Sequence, residues 1–290
     1  MHDLNVVCTI NCVANYLGGI AGTNFGLIEN CTVTTTIVNE DGDYTGGICG
    51  YNADGSIVRG CHVMGTIQGK GSASCIGGIC GYNYYTYSGN GEIYNCWVEA
   101  DVSSEHYNAI THARLGGICG FNTCNVSYCC MTGNVTNTGG NSGVGGIIGI
   151  NNTRPSVSHC TFYGTVTVNH DQASKYCGNS GSVSDMYDTF QQSEYDDAIA
   201  AGHTLYAQAI KYPYTINVKK YGPGELRDIE PRGCPGQTIS LTVASGKLDE
   251  ITVRDAVGND ISLSGNATDG YTFTMPKKNV KVLSLATGTR

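Results

Sequence analysis

Between residues 82 and 97 the sequence gathers its densest set of large rings: Tyr82, Tyr84, Tyr85 and Tyr87, then Tyr94 and Trp97, the only tryptophan. Rigid rings with polar tips are what a sugar face or a protein partner stacks on, since they bury much area for little conformational entropy. Tyrosines of this kind also serve as cover over the flank of a core, where long loops need anchors. Trp97 falls where related segments carry Thr32, His62, Cys130 and Thr161, positions read as facing outward. The connection that follows, Ser103 to Arg114, is longer than its counterparts and adds His106, Tyr107 and His112.

Acid–base chemistry on a polysaccharide requires carboxylates that converge on one bond. Here Glu29, Asp54, Glu92, Glu99 and Asp101 fall at unrelated positions, and Glu99 with Asp101 reads as a solvated outward pair. The loop Glu40-Asp41-Gly42-Asp43 lacks a full calcium ligand set and reads as a solvated turn. Cys119, Cys124, Cys129 and Cys130 lack the paired spacing of a zinc site. No catalytic residue, metal or cofactor is therefore expected. A net charge of −8 argues against nucleic acid or an anionic membrane as partner. No apolar run reaches the length of a membrane span, and targeting elements are expected outside this sequence.

The elements that must position these residues are written in a repeat. Gly18-Gly19-Ile20, Gly46-Gly47-Ile48, Gly77-Gly78-Ile79, Gly116-Gly117-Ile118 and Gly145-Gly146-Ile147 are each followed by a further glycine and then by Asn24, Asn52, Asn83, Asn122 or Asn151. A second landmark follows each phrase: Cys31, Cys61, Cys96, Cys129 and Cys160, with Ile or Val three residues before and apolar, small and β-branched residues at plus two, four and six. Residues two apart share one face of a strand, so these positions line an interior. The repeats are rich in Gly, Asn and β-branched residues and carry no helical apolar period, which predicts a right-handed parallel β-helix of about five to six coils. In such a fold equivalent side chains stack into ladders. The asparagines are expected at a turn, aided by their tolerance of the left-handed region. A bend at the glycine pair places both Leu17 and Ile20, of opposite strand parity, inside.

Of the fifteen cysteines, Cys8 is read as joining the column Cys31, Cys61, Cys96, Cys129 and Cys160, and Cys49, Cys80, Cys119 and Cys177 form another where Ala21 and Ile148 substitute. Alternation with Ala and Ile marks them as small apolar fillers, so free buried thiols are expected. Cys12, Cys75, Cys124, Cys130 and Cys234 stand outside both columns and their redox state stays open.

The solenoid is expected over residues 1–190 and a cap or linker over 191–211. There Ser193 to Gly202 reads as a short helix closing the open end, and Thr204 to Gln208 as strand or linker. From residue 212 to 290, alternating runs at Tyr214–Val218, Thr238–Val243, Glu250–Val253, Tyr271–Met275 and Val280–Leu283, separated by Gly, Pro, Asn and Asp, predict a small all-β module.

The phrase Gly-Gly-Ile-Cys-Gly-Tyr-Asn with its following Ile/Val-x-x-Cys strand resembles the GLUG motif of bacterial surface proteins, found in adhesin-like and some IgA-peptidase-type polypeptides. The segment Ile251-Thr252-Val253-x-Asp255 with Phe273-Thr274-Met275-Pro276 is similar to the divergent internalin-B-type repeat. These resemblances imply an extracellular, surface-attached or secreted protein; together with the aromatic cluster, the expectation is a non-enzymatic adhesin or scaffold that binds a glycan or host protein through the β-helix flank, and the β-helix architecture leaves a carbohydrate-active enzyme, a polysaccharide lyase or hydrolase, as the alternative. They supply no catalytic motif.

Overall fold

The computed structural model describes residues 1–71, 75–85, 91–105, 113–139, 142–152, 156–169, 173–179, 183–222, 225–227, 229, 231–245 and 247–287. The chain divides into two compact units, Met1–Ala209 and Ile210–Arg290.

The first unit is a parallel β-solenoid of about five turns. One sheet of twelve strands and two of six form its sides. A typical coil runs through Thr32–Asn39 in the long sheet, Tyr44–Gly46 and Cys49–Asn52 in the two shorter sheets, and returns to the long sheet at Ile57–Arg59. The register is that of the repeat: Val6, Val33, Val63, Val98, Met131 and Phe162 stand in one column of partners. From Val33 onward this column is buried and, with the isoleucines of the glycine phrase, builds one continuous core.

The glycine pair is the bend. Ile76 and Ile79, on either side of it, are both fully buried, so the opposite parity is resolved as expected. A Cβ on Gly78 would run into the carbonyl oxygen of Gly117 in the next coil, which excludes any other residue there. The later glycine of the phrase has a separate reason, because the two short sheets pack almost backbone to backbone: a Cβ on Gly50 would sit 2.5 Å from the Leu17 amide nitrogen.

A further column governs the long sheet. Asp3, Asn30, Gly60, Asn95, Tyr128, His159 and Asp185 all adopt the left-handed region, with φ between 50° and 60°. Asn, Asp and Gly tolerate it readily, whereas at Tyr128 it is a strained conformation. The kink turns the preceding carbonyl toward the next side chain, and the cysteine thiol meets it: Sγ of Cys61, Cys96, Cys129 and Cys160 each donates to the carbonyl two residues before, at 3.3 Å. Cysteine is thus a small apolar filler that also carries a donor where one is needed.

The asparagine ladder is continuous. Nδ2 of Asn24, Asn52, Asn83 and Asn122 donates to Oδ1 of the next rung at 2.8, 2.9, 2.9 and 2.9 Å, ending on Asn151. These residues lie in strands and none has a positive φ, so the left-handed tolerance expected of them is used instead by Asn30 and Asn95.

Three expectations are corrected here. Cys8 pairs with Thr35, so it stands four residues out of the Cys31 column. A period of two looks the same after a shift of two, and the run Val6-Cys8-Ile10 follows Val33-Thr35-Ile37 instead. The segment after the last coil forms two helices, α1 (Gln192–Ala200) and α2 (Thr204–Lys211), so Thr204 to Gln208 is helical. Its buried residues Tyr206, Ala207 and Ala209 fit a helical stripe better than strand alternation. Nor do the helices close the end of the solenoid: the Tyr206 amide donates to Asn95 Oδ1 at 2.9 Å and its hydroxyl meets Thr161 Oγ1 at 3.0 Å, which spreads the helices across the outer face of three coils.

The second unit holds a four-stranded sheet in the order Arg232–Gly233, Tyr214–Tyr221, Val280–Thr287, Lys247–Asp255 and a three-stranded sheet of Thr238–Leu241, Gly270–Thr274 and Ser264–Asn266. Tyr214–Tyr221 and Val280–Thr287 pair in parallel, while Lys247–Asp255 is antiparallel to the latter.

Candidate functional site

The sharp bend at the glycines brings the rows of the two short sheets side by side, and aromatic residues contribute to both. Tyr16 and Tyr44 stand in one row; Tyr51, Tyr82 and Phe121 stand in the other, immediately before the ladder asparagines. Their rings form an unbroken mosaic over four coils. Tyr16 to Tyr44 is 5.4 Å between centroids, Tyr44 to Tyr82 5.4 Å, Tyr51 to Tyr82 5.5 Å and Tyr82 to Phe121 4.9 Å. Tyr84 joins at 5.3 Å from Tyr82, and the Arg114 guanidinium lies 4.4 Å over Phe121. Spacings of this size in tilted and edge-on arrangements are the favoured aromatic geometries.

The mosaic is only half covered. Tyr16 is 50% exposed, and Tyr44, Tyr51, Tyr82, Tyr84 and Phe121 are partly exposed. Burial, with the phenols of Tyr84, Tyr16 and Tyr44 around it, pushes Tyr51 up to about 12. Burial and neighbouring phenols raise Tyr82 as well. These hydroxyls stay protonated near neutral pH and keep an O–H to donate. The surface therefore offers apolar ring faces fringed with hydroxyl donors and one guanidinium.

The six residues singled out in the sequence separate onto different faces. Tyr82 and Tyr84 belong to the mosaic. The Tyr85 amide donates to Thr123 Oγ1 at 2.7 Å. Tyr87, with His106, Tyr107 and His112, lies outside the described residues. Tyr94 is on the long sheet, where its hydroxyl accepts from Arg59 Nη1 at 2.9 Å and its ring meets His203 of the interhelical turn at 5.9 Å. Trp97 does point away from the coil interior, yet it is only 5% exposed, so the solvent-facing ring expected there is not found. It stacks on His62 at 4.5 Å and donates from Nε1 to Thr132 Oγ1 at 3.4 Å. Its row also contains Thr161, which α2 covers through Tyr206.

The sequence reading missed Tyr16, Tyr44, Tyr51, Phe121 and Arg114. A signal was present, since Tyr51, Tyr82 and Phe121 occupy one position of the glycine phrase, where Thr23 and Ile150 stand in the outer coils.

Three of the carboxylates weighed above have separate partners. Glu29 pairs with Arg59 at 2.6 Å, and Asp101 accepts from the Asn134 amide at 2.8 Å. Glu99 Oε1 accepts from His62 Nε2 at 2.7 Å and lies between strands, so the solvated Glu99–Asp101 pair is corrected to two separate contacts. Cys129 faces the core while Cys130, the next residue, faces outward, which separates two of the four cysteines weighed for zinc. One cluster brings two carboxylates to the same side chain: His159 lies 3.1 Å from Glu194 by Nδ1 and 3.8 Å from Asp185 by Nε2. Glu194 is 3% exposed and also accepts from the Tyr206 hydroxyl at 3.1 Å, which ties α1 and α2 together.

Compared with known families, the chain carries the GLUG motif, matched over residues 13–38 and 72–103. No curated protein and no solved structure gave a match.

Proposed function

We propose that this is a non-enzymatic bacterial surface or secreted protein, an adhesin or scaffold whose solenoid flank binds a glycan or a host surface protein. The single observation that carries this reading is the aromatic mosaic of Tyr16, Tyr44, Tyr51, Tyr82, Tyr84 and Phe121. Binding energy concentrates in a few rigid aromatic anchors, and the rest of the repeat presents small polar groups. The ring faces suit the apolar faces of sugars, and the hydroxyls suit their rims. On this reading the second unit is a spacer, and the protein works outside the cell.

A glycan and mucin array, run beside a hydrolysis assay on the same polysaccharides, tests it. Tyr51→Ala and Tyr82→Ala are expected to weaken binding of the ligand so found by about 1–3 kcal/mol each. Unchanged binding in both variants would move the site off the mosaic. The carbohydrate-active enzyme reading rests on the His159, Glu194 and Asp185 cluster alone. Turnover of an array polysaccharide that disappears in His159→Ala would replace the adhesin reading with it.

A further inference from the structure

The acidic character of this chain is not shared by its two units. Residues 1–209 hold 5 Lys and Arg against 16 Asp and Glu, a net −11, while residues 210–290 hold 11 against 8, a net +3. Part of that positive charge is gathered in one place. On the outward face of the four-stranded sheet, Lys281 is flanked in register by Asn217 and Arg254, and Leu283 is flanked by Lys219 and Thr252. These residues line a groove of about 380 Å³. The opposite face carries Ile216, Val253, Val280 and Val282 into the core of the unit, so the cations are held on a rigid floor.

The charges in the groove are weakly compensated. Arg254 pairs with the exposed Asp260 at 2.7 Å. Asp255 also lies at the groove, but its carboxylate is turned to the hairpin amides of Val257 and Asn259 and to Lys278. Lys219 and Lys281 are exposed, and among the described residues no carboxylate lies within ion-pair distance of either. Two uncompensated ammonium groups beside an amide, a hydroxyl and a short aliphatic patch match an anion that also carries hydroxyls and carbon faces. No aromatic ring lines the groove itself, and one exposed ring, Tyr221, stands two positions beyond Lys219 on the same strand face, short of the row of rings that single-stranded nucleic acid stacks on.

We infer that this groove binds an anionic polysaccharide, with Lys219 and Lys281 pairing its carboxylate, sulfate or phosphate groups and Asn217 and Thr252 bonding its hydroxyls. The site is independent of the aromatic flank.

Binding of the 290-residue chain to immobilised polygalacturonate, dextran sulfate and neutral dextran tests the inference. Wild type is expected to bind one or both polyanions but not neutral dextran, with affinity falling as salt rises from about 0.05 to 0.5 M. Which polyanion binds better identifies the anionic group. Lys219→Glu/Lys281→Glu is expected to lose about tenfold or more in affinity, about 1.4 kcal/mol. Lys220→Glu/Arg227→Glu, the same change in net charge away from the groove, is expected to retain binding. If the first variant fails to fold, Lys219→Gln/Lys281→Gln replaces it and a smaller loss is still expected. Absence of polyanion binding in wild type, equal losses in both charge-reversal variants, or equal binding to a DNA duplex would each overturn the assignment.

Discussion

Each cysteine of the long-sheet column does two jobs, and the second is what makes it hard to replace. Burial and the thiols of Cys160 and Cys96 above and below hold the Cys129 thiol well above its ordinary range, so it stays protonated and donates to the Ser127 carbonyl. Replacing Cys96 by Ala leaves the Tyr94 carbonyl without that donor and opens a small void, and a loss of about 1–3 kcal/mol is expected in chemical denaturation. A Cys96→Ala variant as stable as the parent would reduce the column to plain filler. In the second unit Asp255 gives a pH effect of defined sign. Against burial, which would raise it, the Asn259 side chain and amide and the Lys278 ammonium hold its carboxyl down at about 2. A depressed pKa contributes stability above the unfolded value near 4 and loses it as pH falls toward 2. The gap in melting temperature between wild type and Asp255→Asn is therefore expected to narrow across that window. A gap independent of pH would mean the carboxylate is not held in its ionised form.

Among the elements, the two helices change what the long sheet can do. By lying along the outer face rather than over the end, they occupy the flank on which Tyr94 sits and cover Thr161 in the row of Trp97. Trp97→Ala is thus expected to destabilise the solenoid by about 3–5 kcal/mol, the range for a buried large side chain, with array binding at the mosaic preserved. A lower affinity at unchanged stability would return Trp97 to the binding surface. The coil architecture, its bends and its ladders were legible because the glycine phrase and the cysteine strand repeat at matched offsets, and stacking in register forces equivalent residues together. The position of the helices was not legible, since Ser193 to Lys211 carries an apolar stripe but no sign of which face it meets. The mosaic was half legible. Tyr82 and Tyr84 stand out as a local cluster, whereas Tyr16, Tyr44, Tyr51 and Phe121 are far apart in sequence and meet only because the glycine bend folds one short sheet against the other. Cys8 was misplaced for a related reason, as alternation fixes the face of a residue and leaves its register free.

At the scale of the whole molecule, the hydrogen bonds of the solenoid join one coil to the next and the asparagine ladder runs through the same stack. On the surface role proposed above the chain would be pulled by its partner, and the direction of those bonds decides how it yields. Tension that separates successive coils opens one coil at a time, because each contacts only its neighbours. The rungs of the ladder are 28, 31, 39 and 29 residues apart, so the released lengths differ. Single-molecule stretching is expected to give a series of low force peaks spaced by roughly 90–140 Å of chain, the longest step coming from the coil between Asn83 and Asn122. One cooperative rupture of the entire solenoid would contradict this. The stack would then serve as an extensible tether, which pays out slack under load and re-coils when the load is released, keeping its cargo attached through repeated tugs.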